Sequence, residues 1–369
     1  MQTLKAGDHA PAFTLANAAG QPVALTELLK QGRVLVYFYP KAMTPGCTVQ
    51  AQQLRDHQAQ FQQRWADLCN PHVRALTWLL DAPNVLDADA SRWHGKIARL
   101  PMDAANSCRD WLLQLDADPG ALEAYLDVQR FTRLGRYAER LLAWYFQHQG
   151  QLVAHGLPVR SGKEETIGEF DFLLNVDQKL LHWELATKFY LLAVNDPALE
   201  AVQQADYFVG PNLADTLGRK MRKILDRQLA LGEHPAAQAL LPQPLSEAQA
   251  LVKGWLFHRR GAQLDLHPLG IAENHCRGWW CTLSEIETHM DAVGTILPRI
   301  TWLAPARLSL AQGLDISDLK QQLHQHFEHD GMPLMVASLR REGDEWFETE
   351  RGFVVPDAWP QQAVEKISG

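Results

Sequence analysis

Between Gly168 and Lys188 the chain reads GEFDFLLNVDQKLLHWELATK, which sets two acids and a lysine on what the residue pattern makes two adjacent β-strands. Glu169 to Leu174 alternates polar with apolar residues, and Asn175-Val176-Asp177-Gln178 supplies a turn. Leu180 to Ala186 then alternates again, with His182, Glu184 and Ala186 on one face and Leu181, Trp183 and Leu185 on the other. A hairpin of this length brings Asp171 and Glu184 within reach of one cation. Carboxylates converging on Mg²⁺ or Mn²⁺ are what metal-assisted phosphodiester hydrolysis needs, because the ion polarises the phosphoryl oxygen and acidifies bound water. Lys188 is the candidate for holding the attacking water or a phosphate oxygen, and Glu139, in LGRYAERLLAWYF, is the candidate third carboxylate. The plain alternatives are a solvated helix face for Glu139, a half-exposed sheet for Asp171 and Glu184, and a surface lysine at 188.

The elements that must position these residues run helix before sheet. Residues 120–148 carry apolar side chains at helical spacing, among them Leu122, Leu126, Leu134, Tyr137, Leu141, Leu142 and Tyr145. After Ala186 the pattern fits either a third strand at Phe189–Ala193 or a helix continuing from Ala186, and a further strand is expected at Ala205–Val209. Leu213 to Leu231 reads as one strong helix, capped near Pro211-Asn212. It carries Arg219, Lys220, Arg222 and Lys223, with Arg227 close behind, so these residues are candidates for contact with a phosphate backbone. A merely solvated face is the alternative.

The whole chain limits the choices. A net charge of -8 argues against coating nucleic acid by bulk electrostatics and leaves only a local basic groove. No apolar run has the length of a membrane span and no secretion signal opens the chain, so a cytoplasmic location without a membrane partner is the expectation. Five cysteines, odd in number and widely scattered, argue against a disulfide framework and for reduced thiols; Cys276-x4-Cys281 beside His275 hints at zinc but lacks a second ligand pair. Twelve tryptophans, many beyond residue 250, point to an aromatic core, with base stacking as the other reading.

The first 56 residues have a different character. LKAGDHAPAFTLANAAGQPVALTELL is followed by a buried strand at Arg33–Tyr39 and by YFYPKAMTPGCTVQAQQLRD, with Cys47 at a helix start. This stretch, with its Pro40-x3-Thr44-x2-Cys47 motif, closely resembles peroxiredoxins of the bacterioferritin-comigratory type. The resemblance implies that Cys47 attacks peroxide as a thiolate, favoured by the helix N-terminus, while the Thr44 hydroxyl helps hold the peroxide. Gln52 stands where many such enzymes carry a resolving cysteine, and after Asp56 the resemblance stops.

Residues from about 60 to 365 resemble an uncharacterised bacterial family of the PD-(D/E)xK, restriction-endonuclease-like superfamily, carried by the order of the Glu139 helix, GEFDFLL and HWELATK. The resemblance implies an α/β fold: a restriction-endonuclease-like core whose mixed sheet is flanked by helices, with a partial thioredoxin-like segment in front. It assigns Glu139, Asp171 and Glu184 to the metal and Lys188 to water or phosphate. The usual acid and lysine are two residues apart, whereas Lys188 comes four after Glu184; in a continuous strand that is roughly 13 Å. The expected organisation is a peroxiredoxin-like segment at 1–56, a helical lead-in at 57–120, a nuclease-like core at 121–235 and a Trp-rich α/β part at 236–369. The leading functional expectation is metal-dependent cleavage of nucleic acid. Thiol peroxidase chemistry through Cys47 and Thr44, or nucleic-acid binding without catalysis, are the alternatives.

Overall fold

The structure, a computed structural model, describes residues 14–16, 22–30, 57–101, 103–127, 133–161, 165–193, 205–260 and 266–368. The chain divides into two compact units, Met1–Gln53 and Leu54–Gly369. In the first, β1 (Thr14–Ala16) pairs antiparallel with β2 (Pro22–Ala24), and α1 (Leu25–Leu29) follows directly. The strand expected at Arg33–Tyr39, Thr44 and Cys47 lie outside the described residues.

The second unit begins with α2 (His57–Arg64) and α3 (Pro71–Asp81). Asn70 starts α3 by accepting from the His72 and Val73 amides, and Pro71 needs no donor at the first helical position. Every residue from Val73 to Leu80 is buried, so α3 is a core helix rather than an amphipathic surface one. Then come α4 (Arg109–Ala117), α5 (Gly120–Leu126) and α6 (Leu134–His148). On α6 the buried set Leu134, Tyr137, Ala138, Leu141, Leu142 and Tyr145 follows the i, i+3, i+4 rule, which leaves Glu139 on the flank.

One mixed sheet of eleven strands organises the rest. Its strands are β3 (Leu152–Ser161), β4 (Glu165–Val176), β5 (Lys179–Leu192), β6 (Phe208–Val209), β7 (Leu245–His258), β8 (Cys276–Thr282), β9 (Val293–Ile296), β10 (Arg307–Ser309), β11 (Leu314–Asp315), β12 (Leu334–Glu342) and β13 (Glu345–Val355). The main order is β11-β9-β12-β13-β8-β7-β5-β4-β3, with β10 on β13 and β6 on β5. The β5–β7, β7–β8 and β8–β13 pairs are parallel and the others antiparallel. The sheet thus runs without a break from the segment expected as a nuclease-like core into the Trp-rich part.

Several local expectations are corrected. The turn of the hairpin is tighter than the four residues read from sequence: only Asp177 and Gln178 lie between β4 and β5, both at positive φ, as in a type I′ turn whose twist suits a hairpin. After Ala186 there is neither a new strand nor a helix, because β5 continues to Leu192 on its parallel ladder with β7. That ladder places Gly254, at φ +151, beside Lys188, where a Cβ would fall 1.8 Å from the Lys188 carbonyl oxygen. The strand expected at 205–209 is only the pair Phe208–Val209.

The expected helix at 213–231 is shorter and broken. It comprises α7 (Leu217–Lys223), a five-residue π-helix at Ile224–Gln228, and a 3₁₀ stretch at Leu229–Glu233. Its cap is Thr216 rather than Pro211-Asn212: the Thr216 hydroxyl accepts from the Arg219 amide and donates to Asp206 at 2.6 Å. α8 (Ile316–His329) and α9 (Trp359–Ser368) complete the fold.

Side chains of α2, α3 and α6 pack with Phe172, Trp183, Trp255, Trp280 and Phe353 in the largest core cluster. A second cluster joins Leu217, Met221 and Ile224 to Ala186, Tyr190 and Leu256. Trp65, Trp78, Trp255, Trp280 and Trp359 are all fully buried, and Trp78 stacks on Trp255 at 6.2 Å, so these five serve packing rather than base stacking.

Candidate active site

β4 and β5 form a ladder from Val176↔Lys179 to Phe172↔Trp183. Continuing that register by one residue sets Asp171 across from Glu184, and there the backbone pairing ends. In place of the next rung, Asp171 Oδ2 accepts the Leu185 amide at 2.9 Å. The strands part because each has another neighbour to follow: β4 pairs with β3 from Leu174 to Glu165, and β5 with β7 through Leu191. The two acids stand at the fork.

Glu184 is 1% exposed. One carboxylate oxygen lies 2.8 Å from His182 Nε2, and the other accepts from Gln228 Nε2 in the π-helix. Asp171 is half-buried, and burial, then the neighbouring charges of Glu184 and Glu139, push its carboxyl up to about 8. Glu139 is half-buried on α6 and is raised to about 7, first by burial; Arg136 and Lys220 oppose the shift, while Glu169 and Glu184 add to it. The structure therefore brings Glu139, Asp171 and Glu184 into one electrostatic neighbourhood in which each acid disfavours ionisation of the others.

Lys188 makes its ion-pair contact with another acid. Because β5 stays extended, four residues separate it from Glu184 along the strand, roughly 13 Å. Its amine instead lies 3.9 Å from Asp215, which also accepts from the Tyr190 hydroxyl at 3.1 Å. Burial, then Lys220, lowers Lys188 to about 8. The strand continues past Ala186, so Lys188 keeps the roughly 13 Å backbone separation expected for a continuous strand.

The basic helix divides. Arg219, Arg222, Lys223 and Arg227 are exposed and, with Asp226, line an open depression of about 340 Å³. Arg222 is engaged by both oxygens of Asp206, at 3.2 and 3.0 Å. Lys220 differs: it is half-buried, its amine is 3.4 Å from Gln228 Oε1, and its proton affinity is lowered by burial and Lys223 while Asp215, Asp171 and Glu184 counteract. Sequence reading grouped Lys220 with its outward neighbours. The missed residues are Gln228, which lies between Lys220 and Glu184, and His182, which lies against Glu184. His182 was visible in the strand alternation, but Gln228 had no signal.

The donor set matches a hard divalent cation in kind, being carboxylate oxygens with surplus negative charge. Among the described residues, no three or more His, Cys, Asp and Glu side chains already form a ready ligand group. Cys276 and Cys281 are free buried thiols in separate clusters, the first 3.8 Å from His57 Nδ1. Among the described residues no helix is long and apolar enough to cross a membrane.

Comparison with known proteins separates the two parts of the chain. Residues 6–70 match the AhpC/TSA family. Peroxiredoxin Bcp of Escherichia coli K12 is 56% identical over 68 residues, which is 18% of this chain and 43% of that protein. A Haemophilus influenzae protein named as a peroxiredoxin bcp is 50% identical over 61 residues, 16% of this chain and 39% of its own length. The chain thus spans less than half the length of these curated relatives. The likeness reaches Asn70, past the limit at Asp56 expected from sequence, and so includes α2, whose Phe61 is buried in the core of the second unit. No solved structure matches the chain. Residues 74–355 match the family described as Domain of unknown function (DUF1853), and since that match covers most of the chain, the protein belongs to this family.

Proposed function

We propose that the second unit is a metal-dependent phosphodiesterase of the restriction-endonuclease-like type, acting on nucleic acid. The observation that carries this reading is the fork of β4 and β5, where Asp171 and Glu184 face each other with Glu139 close enough to raise the proton affinity of Asp171. Gathered carboxyls with raised proton affinities take up protons near neutral pH unless a cation joins them. Asp171, Glu184 and Glu139 would hold Mg²⁺ or Mn²⁺, which when bound supplies polarisation of the phosphoryl oxygen and a more acidic water. The residues themselves orient and neutralise: His182 fixes the Glu184 carboxylate, and the Leu185 amide fixes Asp171. Arg219, Lys223 and Arg227 offer charge to flanking phosphates. In the hydrolysis, water oxygen bonds to phosphorus as one ester P–O bond breaks; the water loses a proton to solvent and the leaving oxygen gains one.

The test is cleavage of single- and double-stranded DNA and RNA with Mn²⁺ or Mg²⁺, comparing the full chain with Asp171→Ala plus Glu184→Ala. Activity in the wild type that is absent from the double variant is the expected result. Equal rates would sink the proposal, and binding of nucleic acid without cleavage would favour a non-catalytic binding role.

The peroxiredoxin likeness of residues 6–70 favours a second reading for the first unit, thiol peroxidase chemistry at Cys47 with Thr44. It predicts peroxide consumption with a thiol reductant, lost in Cys47→Ser. Consumption that survives this substitution would exclude it.

A further inference from the structure

The amine joined to the carboxylates by a side-chain hydrogen-bond chain comes from the helix rather than from the sheet. We propose that Lys220 on α7, and not Lys188 on β5, is the catalytic cation of the carboxylate site, contacting the attacking water and a non-bridging phosphoryl oxygen of the substrate. This assignment rests on the hydrolase reading above.

Three observations carry it. Lys188 is turned to Asp215 and Tyr190, about 13 Å along the strand from Glu184. Lys220 is linked to the acids by a chain of side chains: its amine meets Gln228 Oε1 at 3.4 Å, and Gln228 Nε2 donates to Glu184, whose other oxygen meets His182. The local helix geometry builds that chain. Two turns of an α-helix take about 7.2 residues, so a residue eight further on is rotated off the face of the first. The π-helix at Ile224–Gln228 adds residues to the turn and carries Gln228 back onto the Lys220 face. Short π segments of this kind are frequent at functional sites.

The arrangement also explains the split in the basic helix. Arg219, Lys223 and Arg227 remain exposed for backbone phosphates, whereas Lys220 is half-buried on the side of Asp171 and Glu184. Gln228 gives Glu184 a neutral partner and keeps Lys220 from forming a direct salt bridge with it. The ammonium is therefore not consumed by an internal pair and can meet an incoming phosphate.

The experiment compares Lys220→Met, Lys220→Arg and Lys188→Met in the full chain, after checking that each melts as a folded protein. Two quantities are read: Mn²⁺ affinity by titration calorimetry, and cleavage of the nucleic acid on which the wild type acts best. Lys220→Met is expected to bind Mn²⁺ at least threefold more tightly, since a positive charge beside the acids is gone, and to lose at least 100-fold in kcat. Lys220→Arg is expected to recover part of that loss, and Lys188→Met to stay within threefold of wild type in both measurements. Cleavage that survives Lys220→Met but not Lys188→Met would overturn the assignment alone, as would unchanged Mn²⁺ affinity in Lys220→Met. A wild type that cleaves nothing overturns the hydrolase reading and the assignment with it.

Discussion

Two carboxylate centres on the same sheet handle burial in opposite ways. At Glu348 on β13 the charge is fully answered: Arg351 donates to both carboxylate oxygens, at 2.5 and 2.8 Å, and also to the Trp302 and Ala304 carbonyls. Gln58 and the Ala306 amide supply further donors to Glu348, and the guanidinium lies 4.3 Å from the Trp255 ring centre. At the β4–β5 fork the acids gather with no Lys or Arg in salt-bridge contact with Asp171, Glu139 or Glu184 among the described residues. The first arrangement is a cross-link between α2, β13 and the 302–306 loop. The second has no such fixed counter-charge among the described residues. Glu184 matches Glu348 in residue type and burial, so between those two it is the presence or absence of a fixed counter-charge that separates a structural carboxylate from a candidate functional one.

The largest effect expected from disturbing this contrast is at the structural centre. Arg351→Leu leaves Glu348 buried without its partner and should cost about 3–5 kcal/mol in urea unfolding of the second unit. A loss below 1 kcal/mol would show that the pair is not fully desolvated. Next, saturating Mn²⁺ should raise the melting temperature of the wild type, by linkage worth about 2.7 kcal/mol at a hundredfold excess over Kd, and should do nothing for Asp171→Ala plus Glu184→Ala. Equal shifts in both proteins would place the ion elsewhere.

The pH dependence follows from the same comparison. Asp171 and Glu139 have proton affinities raised above their unfolded values, to about 8 and about 7, so their contribution is fully present at pH below about 4 and is lost as pH rises through the folded values. Asp171→Asn should therefore be more stable than the wild type at pH 8, by roughly 1–3 kcal/mol, with the advantage shrinking towards pH 4. Thermal melts of the two proteins across that range measure it, and a gap independent of pH would mean that neither burial nor the neighbouring acids raise the Asp171 carboxyl. The smallest effect is at Lys188: Lys188→Met removes a partly exposed pair with Asp215 and should change stability by less than about 1 kcal/mol.

The fork was readable in part from local pattern. Alternation in Glu169–Leu174 and Leu180–Ala186 fixes which side chains share a face, and a two-strand hairpin then forces Asp171 towards Glu184. The apolar spacing of α6 likewise leaves Glu139 off the buried stripe. The extent of β5 was not readable, because Phe189–Leu192 suits several local structures and only the parallel pairing with β7, some sixty residues away in sequence, holds it extended. Nor was the break in the basic helix, since Leu213–Leu231 has good helical spacing throughout, while in the structure Met221 and Ile224 pack against the sheet and the π segment starts at Ile224.

By itself, then, the sequence determined the hairpin with its two acids, the amphipathic helix that carries the third, the aromatic character of the core and the peroxiredoxin kinship of the opening residues. These depend on period, propensity and motif over a few residues, which the chain states directly. Only the tertiary structure decided that Lys188 belongs to Asp215, that Lys220 and Gln228 turn towards Glu184, and that Glu348 is answered by Arg351 while Asp171 is left without such a partner. Those outcomes depend on contacts between segments distant in sequence, where which charge meets which carboxylate is set by the register of long-range strand pairing and by a π segment a few residues long.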